Sequence, residues 1–468
     1  MREKSVIHRT IEVAPGVHAP GHLGELTQVV DFQLVDAVLE ETGTRERRLR
    51  LLPSRVVVYF VLALALFEHC SYRAVWGKLT AALASLPLLQ PSLSSLSRAR
   101  RRIGVAPLRR LFEILAGPVA GQAVPGVFYR GLRVVAIDGT HLHVPDHEAV
   151  TWRYPKRGGD QMEYGYPLLR LLVIIECGTR ALLAAAFGPD DDGETTYART
   201  LLGALNARML MLADAGFDAA GFLHDLAATG AQFLVRSSAR RCPVIERRLP
   251  DGSYLAQIGY GVLPVLLPVR IIEARVTVTL ADGTSRSQQW RLITSLLNHT
   301  RHPARELVDL YHQRWQAETT YLSLKATMLD GRVLRSRTIC GIEQEVYALL
   351  TAYQALIHAA ADTALTRPGL DMDQISFTVL LQAARDTVTT ATQIFPARPV
   401  DLIGAIGQAV LNALLPARRR PRIKARTRKN PTSKYRPNAG QHPTTTQTYS
   451  FHTHITIFEK GLASRPRC

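Results

Sequence analysis

Twice in this chain an apolar, β-branched run stops at an aspartate with glycine close behind: Gly131-Leu-Arg-Val-Val-Ala-Ile-Asp138-Gly-Thr and Arg208-Met-Leu-Met-Leu-Ala-Asp214-Ala-Gly-Phe217. Such runs read as buried strands, and a buried strand delivers its last residue to a sheet edge, where ligands bind. Two more strand-like runs, 168–176 and 181–187, follow the first and are joined by Cys177-Gly-Thr-Arg180 as a hairpin turn. Helical patterns from Glu194 to about Asn206 and over 218–229 come next, and Gln232-Phe-Leu-Val-Arg236 closes the series. The rhythm is strand, strand, strand, helix, strand, helix, strand. In a sheet of three antiparallel strands followed by parallel ones, the first and fourth strands are neighbours, so Asp138 and Asp214 lie side by side. An aspartate in a turn is common for conformational reasons alone, so this pair gains meaning only from what else the chain brings to it.

The stretch Tyr311-His-Gln-Arg-Trp-Gln-Ala-Glu-Thr-Thr-Tyr-Leu-Ser-Leu-Lys325 brings it. Read as one helix at about 100° per residue, it sets Tyr311, Arg314, Glu318, Tyr321 and Lys325 within an arc of roughly 80°. A carboxylate with a guanidinium one turn before it and an ammonium two turns after suits a divalent cation beside a phosphate. The same spacings also make an ordinary solvated face with weak ion pairs. Joined by Asp138 and Asp214, Glu318 completes three hard oxygen donors able to hold two magnesium ions about 3.5 to 4 Å apart, with manganese as a substitute.

With 57 Lys+Arg against 39 Asp+Glu, the 468-residue chain carries a formal +18. That excess points to a polyanion, nucleic acid first; a basic solubility surface or an anionic membrane are the other outlets. The apolar run from Val56 to Phe67 is too short to cross a bilayer and no signal core follows Met1, so a cytoplasmic, nucleoid-associated protein is expected. Cys70, Cys177, Cys242, Cys340 and Cys468 have no metal-finger spacing and read as reduced thiols. His141, His143 and His147 lie in a polar stretch read as a loop near substrate rather than a zinc site. Asp190-Asp-Asp192-Gly-Glu194 reads as helix capping.

Shifts in composition divide the chain. An irregular leader (1–25) precedes an all-helical N-terminal domain (26–120), then the first part of the core (128–236) and a β insertion (237–300) holding Trp290, where core packing is the ordinary role. The second part of the core with the signature helix (301–365), further helices (366–416) and a basic, flexible tail (417–468) complete it. In the N-terminal domain, a serine-capped helix from Ser92 in a helix-turn-helix-like setting presents Arg98, Arg100, Arg101 and Arg102 to DNA, or else to solvent on a basic bundle face. The tail holds ten basic residues between Arg418 and Arg436 and suits nonspecific DNA binding.

The order Asp, Asp, Glu, the β insertion before the Glu, and above all Tyr311-x2-Arg314-x3-Glu318-x6-Lys325 resemble a bacterial insertion-sequence transposase of the DDE class, insertion sequence four family. The resemblance spans roughly residues 30–365, and the spaced signature is its specific part. It implies an α/β fold: an RNase H-like mixed-sheet core with a β-strand insertion, helices before and after, and a basic tail. It implies that Asp138, Asp214 and Glu318 are a metal-binding catalytic triad and that Tyr311, Arg314 and Lys325 hold phosphates of the transposon end. It further implies that Trp290 stacks on a flipped base. The implied partners are double-stranded DNA, both terminal inverted repeats and target, bound by a homodimer in a synaptic complex. The implied reaction is cleavage at the end by metal-activated water, then attack of the 3′ hydroxyl on target DNA. The family often has arginine after the second aspartate, whereas this chain has Ala215. A non-cutting DNA-binding descendant and a nuclease on the same core stay open.

Overall fold

The computed structural model describes residues 10–48, 50–121, 124–156, 165–237, 241–261, 265–280, 285–395, 403–416 and 451–458. The first elements are a hairpin, β1 (Thr10–Ala14) and β2 (Val17–Pro20), where an irregular leader was expected. Five helices follow: α1 (Phe32–Glu41), α2 (Ser54–Leu66), α3 (Tyr72–Thr80), α4 (Leu93–Ile103) and α5 (Ala106–Leu115). Each of α1, α3 and α4 starts on a residue whose side chain accepts a backbone N–H three positions on, Asp31, Ser71 and Ser92. Helix α2 is apolar on all sides and buried along nearly its whole length, as the centre of a helical layer must be.

The sheet begins with β3 (Phe128–Tyr129) and β4 (Leu132–His143). After the short α6 (Glu148–Thr151) come β5 (Leu168–Glu176), β6 (Leu182–Pro189), α7 (Glu194–Leu201), β7 (Met209–Ala213), α8 (Ala220–Ala228) and β8 (Gln232–Arg236). Next are β9 (Arg247–Arg248), β10 (Tyr254–Tyr260), β11 (Val265–Leu280) and β12 (Ser285–Thr294). Helices α9 (Ala304–Tyr311), α10 (Trp315–Leu322), α11 (Ile339–Leu365), α12 (Phe377–Thr390) and α13 (Ala405–Leu411) precede the last strand, β13 (Phe451–Ile457).

The sheet is mixed, in the order β6-β5-β4-β7-β8-β12-β11-β10-β9, with β3 on β4 and β13 on β11. As the rhythm required, β4 and β7 are parallel neighbours. Side-chain alternation assigns the two faces. Val134, Ala136, Leu171, Val173 and Ile175 share a core with α11 and the N-terminal helices. Val135, Ile137, Leu172 and Ile174 pack with residues of α7 and α8 on the other side.

The β insertion continues the same sheet, because Leu292 to Thr294 of β12 pair with Leu234 to Arg236 of β8. The N-terminal helices share one apolar core with α11 and the sheet. Part of the tail is a strand: β13 lies antiparallel on β11, next to the stretch of the same edge taken by β10. The basic run from Arg418 to Arg436 lies outside the described residues. Among the described residues no helix is long and apolar enough to cross a membrane, and Cys70, Cys177, Cys242 and Cys340 carry no disulfide.

Candidate active site

The two aspartates sit at a step in the sheet. Pairing between β4 and β7 stops at Ala136 opposite Leu212, whereas β4 stays paired with β5 as far as His143. Asp138 and Asp214 each lie two residues past that last rung, on adjacent strands. Asp138 was expected at a strand end; it lies within β4, and the following Gly139 is a strand residue, not a turn. Asp214 leaves β7 as the cap of a short 3-10 turn, its Oδ1 accepting the Gly216 N–H at 2.8 Å.

The signature segment crosses this step. It was expected as one regular helix, but it runs as α9, a 3-10 turn over His312–Arg314, α10, and a π-helical turn over Ser323–Met328. Local π geometry is often found at functional sites. Tyr311 donates its hydroxyl to the Ala213 carbonyl at 3.0 Å, and Tyr321 donates to the carbonyls of Asp138 and, at 3.4 Å, Leu171. Both phenols are buried. Tyr311 is thus spent on the backbone of β7, a correction to its expected place on a phosphate.

Arg314 lies between two of the acids, with Nη1 3.3 Å from Asp138 Oδ2 and Nη2 2.9 Å from Glu318 Oε1. The Asp138 carboxyl is raised to about 6: burial is the largest cause, Arg314 pulls it down, and the charges of Asp214 and Glu318 push it up. Burial opposes the charge on Arg314, and Tyr311, Asp138 and Glu318 more than offset it, so the guanidinium is raised and stays charged. Lys325 donates to Thr140 Oγ1 at 3.1 Å, on the far side of Asp138 along β4.

Among the described residues no group of three His, Cys, Asp or Glu side chains is arranged to hold a metal ion. The donor chemistry nevertheless suits one. Asp138 and Glu318 face each other across a single cation, Arg314, and Asp214 is near enough to act electrostatically on Asp138. A guanidinium here stands where a hard divalent ion would neutralise the same carboxylates.

Other expected contacts are redistributed. Trp290 is 6% exposed, with its ring 5.2 Å from Tyr311, 4.9 Å from His312 and under the Arg236 guanidinium at 5.7 Å. It braces the signature segment and is not an open platform for a flipped base. Arg100 is buried and ion-paired with Glu345 at 3.1 Å, which removes it from the basic face of α4. Arg98, Arg101 and Arg102 are exposed, and Arg102 also donates to the Leu52 carbonyl. The acid cluster before α7 caps nothing through its side chains, since the cap is Gly193. Instead Asp190 pairs with Arg170 at 2.7 Å and with His141, and Glu194 pairs with Arg170 at 3.2 Å. Glu194, read only as a capping acid, is tied to β5 through Arg170.

Residues 20–113 match the family described as insertion element 4 transposase N-terminal, and residues 129–355 match the transposase DDE domain. Transposase InsG for insertion sequence element IS4 of Escherichia coli is 28% identical over 433 residues, covering 88% of this chain and 94% of that protein. InsZ of the same organism is 24% identical over 213 residues, 45% of this chain and 69% of that protein. The piggyBac transposase synaptic complex with hairpin DNA aligns over 84% of this chain and 85% of that one, at 9% identity and a TM-score of 0.38, too loose a likeness to bear on function. The two families matched in succession, one on the N-terminal helices and one on the stepped sheet with its crossing helix, place this chain among the IS4-family DDE transposases.

Proposed function

We propose that this transposase moves an insertion sequence by cut and paste, cleaving DNA at the element's terminal inverted repeats and joining the freed 3′ ends to target DNA. Asp138, Asp214 and Glu318 are the carboxylates of the site, within an RNase H-like core. The observation that carries this reading is the convergence of two strands and one crossing helix at a single step. There, Arg314 already spans Asp138 and Glu318. Bound magnesium or manganese ions would lower the pKa of an attacking water or 3′ hydroxyl and neutralise the leaving oxygen.

The chain's own residues do the rest. Asp138 and Glu318 would hold the divalent ion, and Arg314, freed from them, would turn to a phosphate oxygen, a partner a guanidinium holds bidentately. Lys325, anchored beside Thr140, lines the other flank of the scissile phosphate. Arg98, Arg101 and Arg102 on α4 grip the end DNA through its backbone. An element has two ends and each chain one such site, so a homodimer pairing both ends is the natural working unit, in the cytoplasm where the DNA lies.

The test is Glu318→Gln, assayed with magnesium on duplex DNA carrying the element's own ends. Strand cleavage falls by at least about 100-fold, the upper end of what losing even an outer-shell partner of a metal produces, while end binding in a gel-shift assay is kept. Cleavage at the wild-type rate would overturn the assignment.

A further inference from the structure

We propose that Glu194 is a fourth carboxylate of the cation-binding site, seated beside Asp214 and against the residue after Asp138; this rests on the metal-dependent reading above. Two glycines carry the argument. A Cβ on Gly139 would stand 2.7 Å from Glu194 Oε1 and 3.2 Å from its Cδ. A Cβ on Gly216 would stand 3.0 Å from Asp214 Oδ1 and 3.4 Å from Glu194 Oε2. One oxygen of Glu194 therefore lies against the residue after Asp138, and the other against the residue two after Asp214. Its carboxylate and that of Asp214 both lie within 3.4 Å of the Cβ position on Gly216, so these two acids are neighbours.

Neither glycine is among the described residues with positive φ. Backbone freedom is therefore not what selects glycine at these positions, and the absent side chain is. A strand glycine often marks the close approach of another group, and here that group is the Glu194 carboxylate. At Gly139 the nearest atoms are those of the Glu194 carboxylate, whereas at Gly216 the nearest is Asp214 Oδ1, with Glu194 Oε2 at ordinary contact distance. Arg170 is shared between Glu194 and Asp190, at 3.2 and 2.7 Å.

A plain structural role is the competing account, because an acid in the first turn of α7 also complements the helix dipole and pairs with Arg170. Metal binding separates the two. Manganese is titrated calorimetrically into the full-length chain bound to duplex DNA carrying the element's end. The wild type is compared with Asp138→Asn, Glu194→Gln, Gly139→Ala and Asp191→Asn. Gly139→Ala keeps every carboxylate but pushes Glu194 off its seat, so it tests the proposal even if Glu194→Gln folds poorly. Asp191 is exposed at the same helix start and serves as the control.

Both Glu194→Gln and Gly139→Ala are expected to weaken manganese binding about 10-fold or more, with Asp191→Asn unchanged. If both bind manganese as the wild type does while Asp138→Asn loses it, Glu194 is only a helix-start acid and the cut-and-paste reading survives. If Asp138→Asn also binds normally, the metal site itself is misplaced and both readings fall.

Discussion

Arg100 and Arg101 are adjacent, alike in charge and on one helix, yet replacing them by alanine has opposite consequences. The Arg100 guanidinium donates to Gln344 Oε1 at 2.9 Å, to Glu345 Oε1 at 3.1 Å, to the Gly341 carbonyl and to the Tyr72 hydroxyl. Gln344 donates back to the Arg100 carbonyl at 2.9 Å. These bonds clamp α4 to the first turns of α11. Removing one member of a buried pair costs about 3–5 kcal/mol, and Glu345 keeps the Arg335 N–H at 2.8 Å as partial compensation, which favours the lower end. An unfolding entropy of about 2.1 cal/mol/K per residue over a chain this long is roughly 1 kcal/mol/K, so the melting midpoint of Arg100→Ala drops by about 3 °C. Arg101→Ala, on an exposed side chain, changes stability by less than about 0.5 kcal/mol. It instead lowers DNA affinity and reduces the salt dependence of binding by about one unit of slope. Calorimetric melting and gel shifts at several salt concentrations read both effects. Pairing Arg100→Met with Glu345→Gln restores much of the midpoint, since no charge is left buried alone. An Arg100→Ala protein that melts like the wild type but binds DNA weakly refutes the clamp and returns Arg100 to the DNA face.

Two further outcomes follow from the edges of the sheet. Deleting residues 451–468 strips β13 from β11 and leaves an open strand edge, so light scattering should rise with protein concentration relative to the full chain; unchanged scattering argues against β13 as an edge cover. Asp251 feels burial first, which raises its pKa, but bonds from Ser253 and the Ala304 N–H together with Arg270 outweigh it, and the carboxyl is held below its ordinary 3.8. A depressed carboxyl stabilises the fold above its unfolded pKa and loses that contribution as pH falls through the folded one. The urea stability gap between wild type and Asp251→Asn is therefore present at neutral pH and closes below about pH 4; a gap independent of pH would show that Asp251 acts by shape alone.

How much of this was legible depended on whether a residue's partner was near in sequence. The apolar runs announced β4, β5, β7 and β8, and their order made β4 and β7 neighbours, because strand pairing follows from chain direction and connection type. Asp138 misread as a strand end shows the limit: Gly139 looks like a turn until Glu194, on another element, is seen to need its space. Arg100 was readable in principle. It lies four residues after Leu96 and three before Ile103, on the buried face of α4, and the helical period could have separated it from its exposed neighbours. The strand β13 was not, since its partner β11 lies far back in the chain and the surrounding composition is that of a basic tail. The signature was legible as spacing but not as shape, for nothing local marks where a helix tightens to 3-10 or widens to π.

That irregular shape answers a problem the sheet creates. Beyond Ala136 and Leu212 the ladder no longer sets the distance between β4 and β7, yet this is where Asp138 and Asp214 must be held. The two tyrosines of the signature segment supply the missing constraint: Tyr311 fastens it to Ala213, one residue before Asp214, and Tyr321 fastens it to the backbone of Asp138 itself. Glu318 lies on the same segment between those two anchors, so its distance to both aspartates is fixed by the bonds that fix theirs to each other. Backbone carbonyls at the end of a ladder need donors in any case. The segment meets that need with phenols, and in doing so it brings Glu318 and Arg314 to the end of the ladder beside Asp138.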